Sequence, residues 1–375
     1  MSSPTRRIGR EPPDDQLAQR GQLRSFPATP QLPAQRTFND PGRTPFSPKG
    51  QRPIAQEKAS LSAAVYNLAM TNDILKTIGN TPVVQLRRVT PANVADVYLK
   101  LEFFNPTGSY KDRMALAMIE GAEQRGALRP GMKVVEYTGG STGSSLAMVC
   151  AVKGYPVTAV TSDGFAREKL QTMRAFGAQL HVIPSDRGKL TPQLFQAMLE
   201  EAQRLGSEPG TYYTDQFNNI DAIQGYMAIG RELAQQLGPK IDAFCAGVGT
   251  GGMISGTARA LRAAGCQARI VALEPASSPV LTTGRGGAHR VEGLAPGFVP
   301  PHMKGWDYEA RTVEESEARA MTRMLAEREG ILAGTSTGLN VVAALQLARE
   351  LGRGRRVATV AVDTGLKYFA GDLFS

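Results

Sequence analysis

Lys111 is the residue whose type and place in this chain most invite chemistry. It lies in EFFNPTGSYKDRMA, residues 102–115, after a strand-like VYLKLEFF and a bend carrying Asn105, Pro106 and Gly108. In the following DRMALAMIEGAEQRGAL, the residues Met114, Leu116, Ala117 and Ile119 fall in helical spacing, so Lys111 stands where a helix opens. Backbone N–H groups and the positive dipole end favour anions there, and an amine is less easily held protonated. That suits a lysine that reacts with a carbonyl. A surface lysine in a first helical turn is the plain alternative, and this stretch alone does not choose between them.

Three turns rich in Gly, Ser and Thr each read as following a strand and opening a helix. The first holds Thr138, Gly139, Gly140, Ser141, Thr142 and Gly143. The second holds Gly247, Gly249, Thr250, Gly251 and Gly252, and the third holds Gly334, Thr335, Ser336, Thr337 and Gly338. Glycine lets backbone N–H groups approach an anion closely, and the helix behind adds its dipole, so each turn is suited to a phosphate or a carboxylate. Taken singly, each is also ordinary turn geometry. The second lacks the spacing of a dinucleotide fingerprint and the G-K-[ST] ending of a P-loop. A reactive amine, a phosphate cradle and a carboxylate cradle together are what pyridoxal phosphate chemistry on an amino acid requires.

The elements that must carry these groups alternate along the chain. ADVYLKLEF, KVVEYT, YPVTAVTS, AQLHVIP, IDAFCAGV, ARIVALEP and RRVATVAVDT read as short buried strands separated by helices. The fold class is therefore α/β with parallel sheets, in two sheet-centred domains. A smaller substrate-loop domain is expected over 105–217, and a larger cofactor-binding domain over 66–104 and 218–375.

Of the net charge of +9, residues 1–60 supply +5, with ten Lys or Arg and five acids. The basic excess thus sits in one segment, and the remainder is too mildly basic to call for nucleic acid. Ten of the 24 prolines fall in residues 1–53, so residues 1–65 are expected to be a disordered Pro/Arg-rich tail. This tail has no secretory h-region; organelle targeting and docking on an acidic partner stay open beside a solvated tail, and its partner is unknown. No apolar run of about 18 residues exists, so no membrane is expected. Cys150, Cys245 and Cys266 form no C-x-x-C pair, which points to a reducing compartment, here the cytoplasm. His181, His289 and His302 are scattered, and no metal is expected. His289 reads as a loop histidine, Arg285 and Arg290 as solvated, and Cys150 as core.

From about Ile74 to Phe369 the chain resembles the cysteine synthase and cystathionine β-synthase family, of the tryptophan-synthase-β-like pyridoxal phosphate fold. The resemblance runs through IGNTPVVQL, NPTGSYKDR, TGGSTG, KLQTMRAFGAQLHVIP, GVGTGGMISG, VALEP, GRGGAHRVEGLAPGFVP, AGTSTG and VDTGLKYF. It implies that Lys111 carries the cofactor covalently and later takes the α-proton. Gly249, Thr250, Gly251 and Gly252 would bind the 5′-phosphate, with Met253 where the family usually has a Thr hydroxyl. Ser336 would meet the pyridine nitrogen, and its neutrality favours β-elimination chemistry over transamination. Thr138, Gly140 and Thr142 would grip the substrate carboxylate with Gln216, and Gly293 would lie near the substrate amine.

One departure stands out. The family's substrate loop usually reads T-S-G-N-T-G; here Gly139 and Ser141 replace Ser and Asn, which removes a hydroxyl and the usual contact to the cofactor's 3′-oxygen. The resemblance implies a homodimeric transferase of cysteine biosynthesis. It would replace the leaving group of an O-activated serine, O-acetylserine first, with sulfide or another thiol. Lyase action on serine or threonine, a non-sulfide nucleophile, and a scaffold acting through the basic tail remain as alternatives. Cystathionine β-synthase proper stays open too, although no regulatory module is expected after VDTGLKYF and the tail has no haem-ligand pattern.

Overall fold

In the computed structural model, residues 71–189 and 191–375 are described. The expected tail over residues 1–65 lies outside them.

The fold is α/β, built on two sheets. The first strand, β1 (Val83–Gln85), pairs antiparallel with β2 (Asp96–Leu101), and the helix α1 (Lys111–Gln124) follows. Then come β3 (Lys133–Tyr137), α2 (Ser141–Lys153), β4 (Val157–Ser162), α3 (Arg167–Ala175), β5 (Gln179–Ile183), α4 (Pro192–Gly206) and β6 (Thr211–Tyr213). The chain continues through α5 (Ile220–Leu237), β7 (Ala243–Gly247), α6 (Gly252–Ala263), β8 (Arg269–Pro275), a short α7 (Val280–Thr283), β9 (Glu309–Val313), α8 (Glu315–Met324), α9 (Thr335–Leu351) and β10 (Arg356–Ala361). One sheet has the order β1-β2-β10-β7-β8-β9 and the other β5-β4-β3-β6. Every pairing except β1 with β2 is parallel.

Both faces of each sheet are covered, and the alternation of side chains shows it. In β3, Val134 packs with Leu146 of α2, while its neighbour Val135 packs with Leu194 and Met198 of α4. In β7, Phe244 and Ala246 face the apolar cluster of α1, α5 and α6, whereas Ala243 and Cys245 face α9. Continuous apolar runs such as AFCAG are what a strand buried on two sides requires. Strands β3 and β7 end at the first and second Gly-rich turns. All three cysteines are buried and unpaired. No described helix is long and apolar enough to cross a membrane.

Candidate active site

Lys111 is the first residue of α1, and the preceding turn is tied down at almost every residue. The Asn105 amide donates to Glu102 O (2.7 Å) and Oε2 (3.0 Å), while its Oδ1 accepts from Gly79 N (2.8 Å). Gly108 has φ +70°, and a Cβ there would lie 2.6 Å from Thr364 Cγ2, so only glycine fits. The buried Asp112 carboxylate accepts from Thr107 N (2.7 Å), Thr107 Oγ1 (2.5 Å) and Ser145 Oγ (2.6 Å), stapling the turn to α2. Arg113 donates to Glu102 through Nε (2.7 Å) and to Glu232 of α5 through Nη1 (2.6 Å), and Lys100 meets Glu232 at 2.8 Å. The stretch NPTGSYKDR is thus a rigid mount for one amine.

That amine is 5.0 Å from the Tyr110 ring centroid and 5.9 Å from that of Tyr226, and it has no hydrogen bond among the described residues. Burial pushes the Lys111 pKa down to about 8, against the pull of Glu136 and Asp363. Desolvation, and not the helix terminus alone, produces the reactive free amine. The sign is testable: the neutral amine prevails above about pH 8. The rate at which apo-protein takes up pyridoxal phosphate is therefore expected to rise about tenfold per pH unit below that value and level off above it. Stopped-flow absorbance across pH 6–10 would show this, and a rate still climbing near pH 10 would mean an ordinary lysine.

Tyr226, beside this amine, also lies 3.5 Å from where a Cβ of Gly252 in the second turn would sit, and the third turn follows an isolated bridge (Ala333 with Thr364) instead of a strand. In the first, the Thr138 hydroxyl accepts from Gly140 N (3.0 Å) and Gly143 N (3.1 Å), curling the backbone, and Gly140 has φ +143°. Cβ atoms on Gly139, Gly140 and Gly143 would strike Phe165, Lys169 and Met173 at 2.7, 2.4 and 2.3 Å, so α3 and the loop before it lie directly on the turn. Thr142 donates to Gln216 Oε1 at 2.8 Å. The Ser141 hydroxyl is aimed at Asp363 Oδ2 at 3.5 Å, and Asp363 also accepts from Tyr368 (2.8 Å). Lys169 pairs with Glu292 and lies 4.6 Å from the Tyr368 ring centroid.

In the second turn, a Cβ on Gly249 would lie 2.2 Å from the carbonyl of Gly293, and one on Gly251 (φ +81°) would lie 2.8 Å from Met303. Met253 is buried and its sulfur accepts from Thr257 at 3.7 Å, so its side chain packs along α6 and leaves only its N–H toward the turn. In the third, Gly334 N donates to Asp363 O at 3.1 Å, and Ser336 holds a buried hydroxyl without a partner among the described residues. Asp363 therefore joins the first turn to the third, and Gly293 touches the second.

Four contributors were given no role by the sequence: Glu136, Asp363, Lys169 and His302. Asp363 and Lys169 lie in the family-like stretches VDTGLKYF and KLQTMRAFGAQLHVIP, and Glu136 stands as a lone acid in the apolar strand KVVEY. His289 organises its own loop, with Nδ1 accepting from Val291 N (3.3 Å) and Nε2 facing Ala295 O (3.2 Å). Arg290 pairs with Asp372 at the surface.

A family model described as "Pyridoxal-phosphate dependent enzyme" matches residues 74–363. Cysteine synthase from Staphylococcus aureus is 42% identical over 307 residues, covering 81% of this chain and 97% of that protein. The chain belongs to the cysteine synthase family of pyridoxal-phosphate dependent enzymes. A probable cysteine synthase from Bacillus subtilis is 40% identical over 305 residues, covering 80% of this chain and 96% of that one. Among solved structures, O-ureido-L-serine synthase matches with a TM-score of 0.75 at 38% identity, over 81% of this chain and 95% of that one. The O-acetylserine dependent cystathionine β-synthase of Helicobacter pylori matches with a TM-score of 0.76 at 31% identity, over 82% of this chain and all (100%) of that one.

The family's cofactor fits the residues present. The partnerless Ser336 hydroxyl is what a ring nitrogen satisfies, the free Lys111 amine is what an aldehyde captures, and the close-packed glycines at 249 and 251 leave backbone donors open at the α6 N-terminus.

Proposed function

We propose that this enzyme replaces the leaving group of an O-activated L-serine, O-acetylserine foremost, with sulfide or another thiol, giving L-cysteine or a related β-substituted alanine. The observation that carries the reading is the Lys111 amine, buried at the start of α1, without a hydrogen bond among the described residues and depressed in pKa. Bound pyridoxal phosphate supplies an electron sink for the α-carbon, and every other task falls to the chain.

Lys111 would hold the cofactor, then take the α-proton while the leaving group departs from the β-carbon, and return it once the nucleophile has added. Gly249, Thr250, Gly251, Gly252 and the N–H of Met253 would grip the phosphate. Ser336 would hold the ring nitrogen without protonating it, because a hydroxyl is no acid at this pH. The N–H groups of Ser141 and Thr142, at the start of α2, would receive the substrate carboxylate together with Gln216, over the curl made by Thr138, Gly139 and Gly140. Gly293 would face the substrate amine.

One observation keeps a second reading alive. The Ser141 hydroxyl is engaged toward Asp363, where an Asn is usual, so the hold on the cofactor's 3′-oxygen differs. That favours plain β-elimination, or a nucleophile other than sulfide. Product analysis separates them: holoenzyme given O-acetylserine and sulfide is expected to release cysteine and acetate in equal amounts. Pyruvate as the main product would overturn replacement in favour of elimination.

The smaller domain over 105–217 is part of this proposal, supported by β3–β6 all falling within it. So are a homodimer and a cytoplasmic location; the latter is in keeping with three unpaired buried thiols. Light scattering of the purified chain tests the dimer.

A further inference from the structure

Gln216 has every one of its polar groups engaged by a protein partner. Its side-chain Oε1 accepts from Thr142 (2.8 Å), and its Nε2 donates to Tyr137 O (3.1 Å). Its backbone N–H donates to Glu136 Oε2 (3.0 Å), and its backbone carbonyl faces His302 Nε2 (3.3 Å). A carbonyl only accepts, so His302 donates and its Nε2 carries the proton. The second Nε2 hydrogen of Gln216 is left for a ligand. The side chain that would meet the substrate carboxylate is thus gripped by its backbone from two sides.

The two grips come from separate elements, one from a strand and one from a short turn. Glu136 lies on β3 of the four-stranded sheet and is 1% exposed. Its carboxylate also accepts from Thr214 Oγ1 (2.6 Å) and Tyr137 N (3.0 Å). Three donors converging on one carboxylate leave it no rotational choice. His302 lies in a short turn, Pro301–Met303, that packs on the phosphate turn, its Cβ 3.4 Å from where a Cβ of Gly251 would sit. Trp306 Nε1 anchors that turn by donating to His302 O at 2.9 Å.

We infer that Glu136 and His302 are positioning residues that together fix Gln216, and through it Thr142, in the geometry that receives the substrate carboxylate. The inference rests on the reading of Thr142 and Gln216 as the carboxylate site. Because His302 also touches the phosphate turn, the grip links the cofactor's cradle to the substrate's.

The test uses holoenzyme and two readouts: steady-state constants for O-acetyl-L-serine, and the dissociation constant of L-serine from the change in cofactor absorbance. Glu136→Gln leaves one acceptor oxygen where there were two, so an amide N–H must face either the Tyr137 N–H or the Gln216 N–H and Thr214 hydroxyl, and KM and the L-serine constant are expected to rise about tenfold, with kcat within about threefold. His302→Phe keeps the ring but loses the donor and should raise both about fivefold. His302→Gln restores an N–H at that reach and should recover most of the loss. A merely structural role would lower kcat and the melting temperature and leave KM alone, which would overturn the inference, as would unchanged constants. Should Glu136→Gln not fold, the His302 pair decides. If wild type itself neither binds L-serine nor turns over the donor, the functional reading fails first.

Discussion

Replacing Lys111 with alanine is expected to cut kcat by about 10⁴-fold or more, because in the proposed function one amine supplies both the covalent hold on the cofactor and the proton transfer. Borohydride treatment followed by mass spectrometry should tag the wild-type chain at Lys111 and leave the variant untagged. Stability should move the other way. Burial holds the Lys111 pKa down to about 8, so the fold gains nothing from its charge. An alanine there removes a polar group that has no hydrogen bond among the described residues, and the apo-variant should melt no lower than apo-wild type. Loss of activity with intact or raised stability is the signature of a functional residue. A variant that keeps more than a hundredth of the wild-type kcat would remove Lys111 from the chemistry.

Two residues along, the expectation reverses. Arg113 is buried, with Glu102 and Glu232 on its guanidinium, and Glu102 is fully buried. Arg113→Met strands those carboxylates with Lys100 alone to offset them, at a cost of about 3–5 kcal/mol. Glu102 also holds Asn105, so the mount of Lys111 should loosen and kcat fall together with the denaturation midpoint. A midpoint within experimental error of wild type would contradict this. Acid reports on the same network. Burial alone would raise the Glu232 pKa, but Arg113 and Lys100 outweigh it and hold it at about 2, below its ordinary 4.5. Its contribution is whole above pH 4.5 and drains away as pH falls toward 2, so the variant should lose the steepest part of the wild type's acid transition there.

Much of this architecture was legible in the residues, and the exceptions have physical causes. Strands such as Ala243–Gly247 and Arg356–Ala361 announce themselves because burial on both faces demands unbroken apolar runs. The strands without a clear signal are the short ones, Val83–Gln85 and Thr211–Tyr213, and Glu309–Val313 at a sheet edge. In that edge strand Glu309 and Arg311 pair with each other and with Arg269 and Glu350, and charge hides the alternation. The turn at Gly334 looked like the end of a strand, yet only an isolated bridge precedes it, since Ala333 pairs with Thr364 alone.

The site divides in the same way. Glycines that must exist for close approach, such as Gly108 and Gly249, leave a spacing that can be read. Glu136, Asp363 and His302 act through partners far away in sequence, and a lone acid or histidine gives no sign of which backbone group it will meet. Ser141 adds a partner that the sequence did not suggest, its hydroxyl being aimed at Asp363 Oδ2, which also accepts from Tyr368.

In the proposed function, Lys111 and the three turns together process an O-activated serine on pyridoxal phosphate. The most direct measurement is the visible absorbance spectrum of the holoenzyme before and after O-acetyl-L-serine, with no sulfide present and released acetate counted. The account predicts a cofactor band that is replaced when the donor is added, with one acetate released per site and the original band restored by sulfide. A cofactor band that ignores O-acetylserine, with no acetate released, would contradict it.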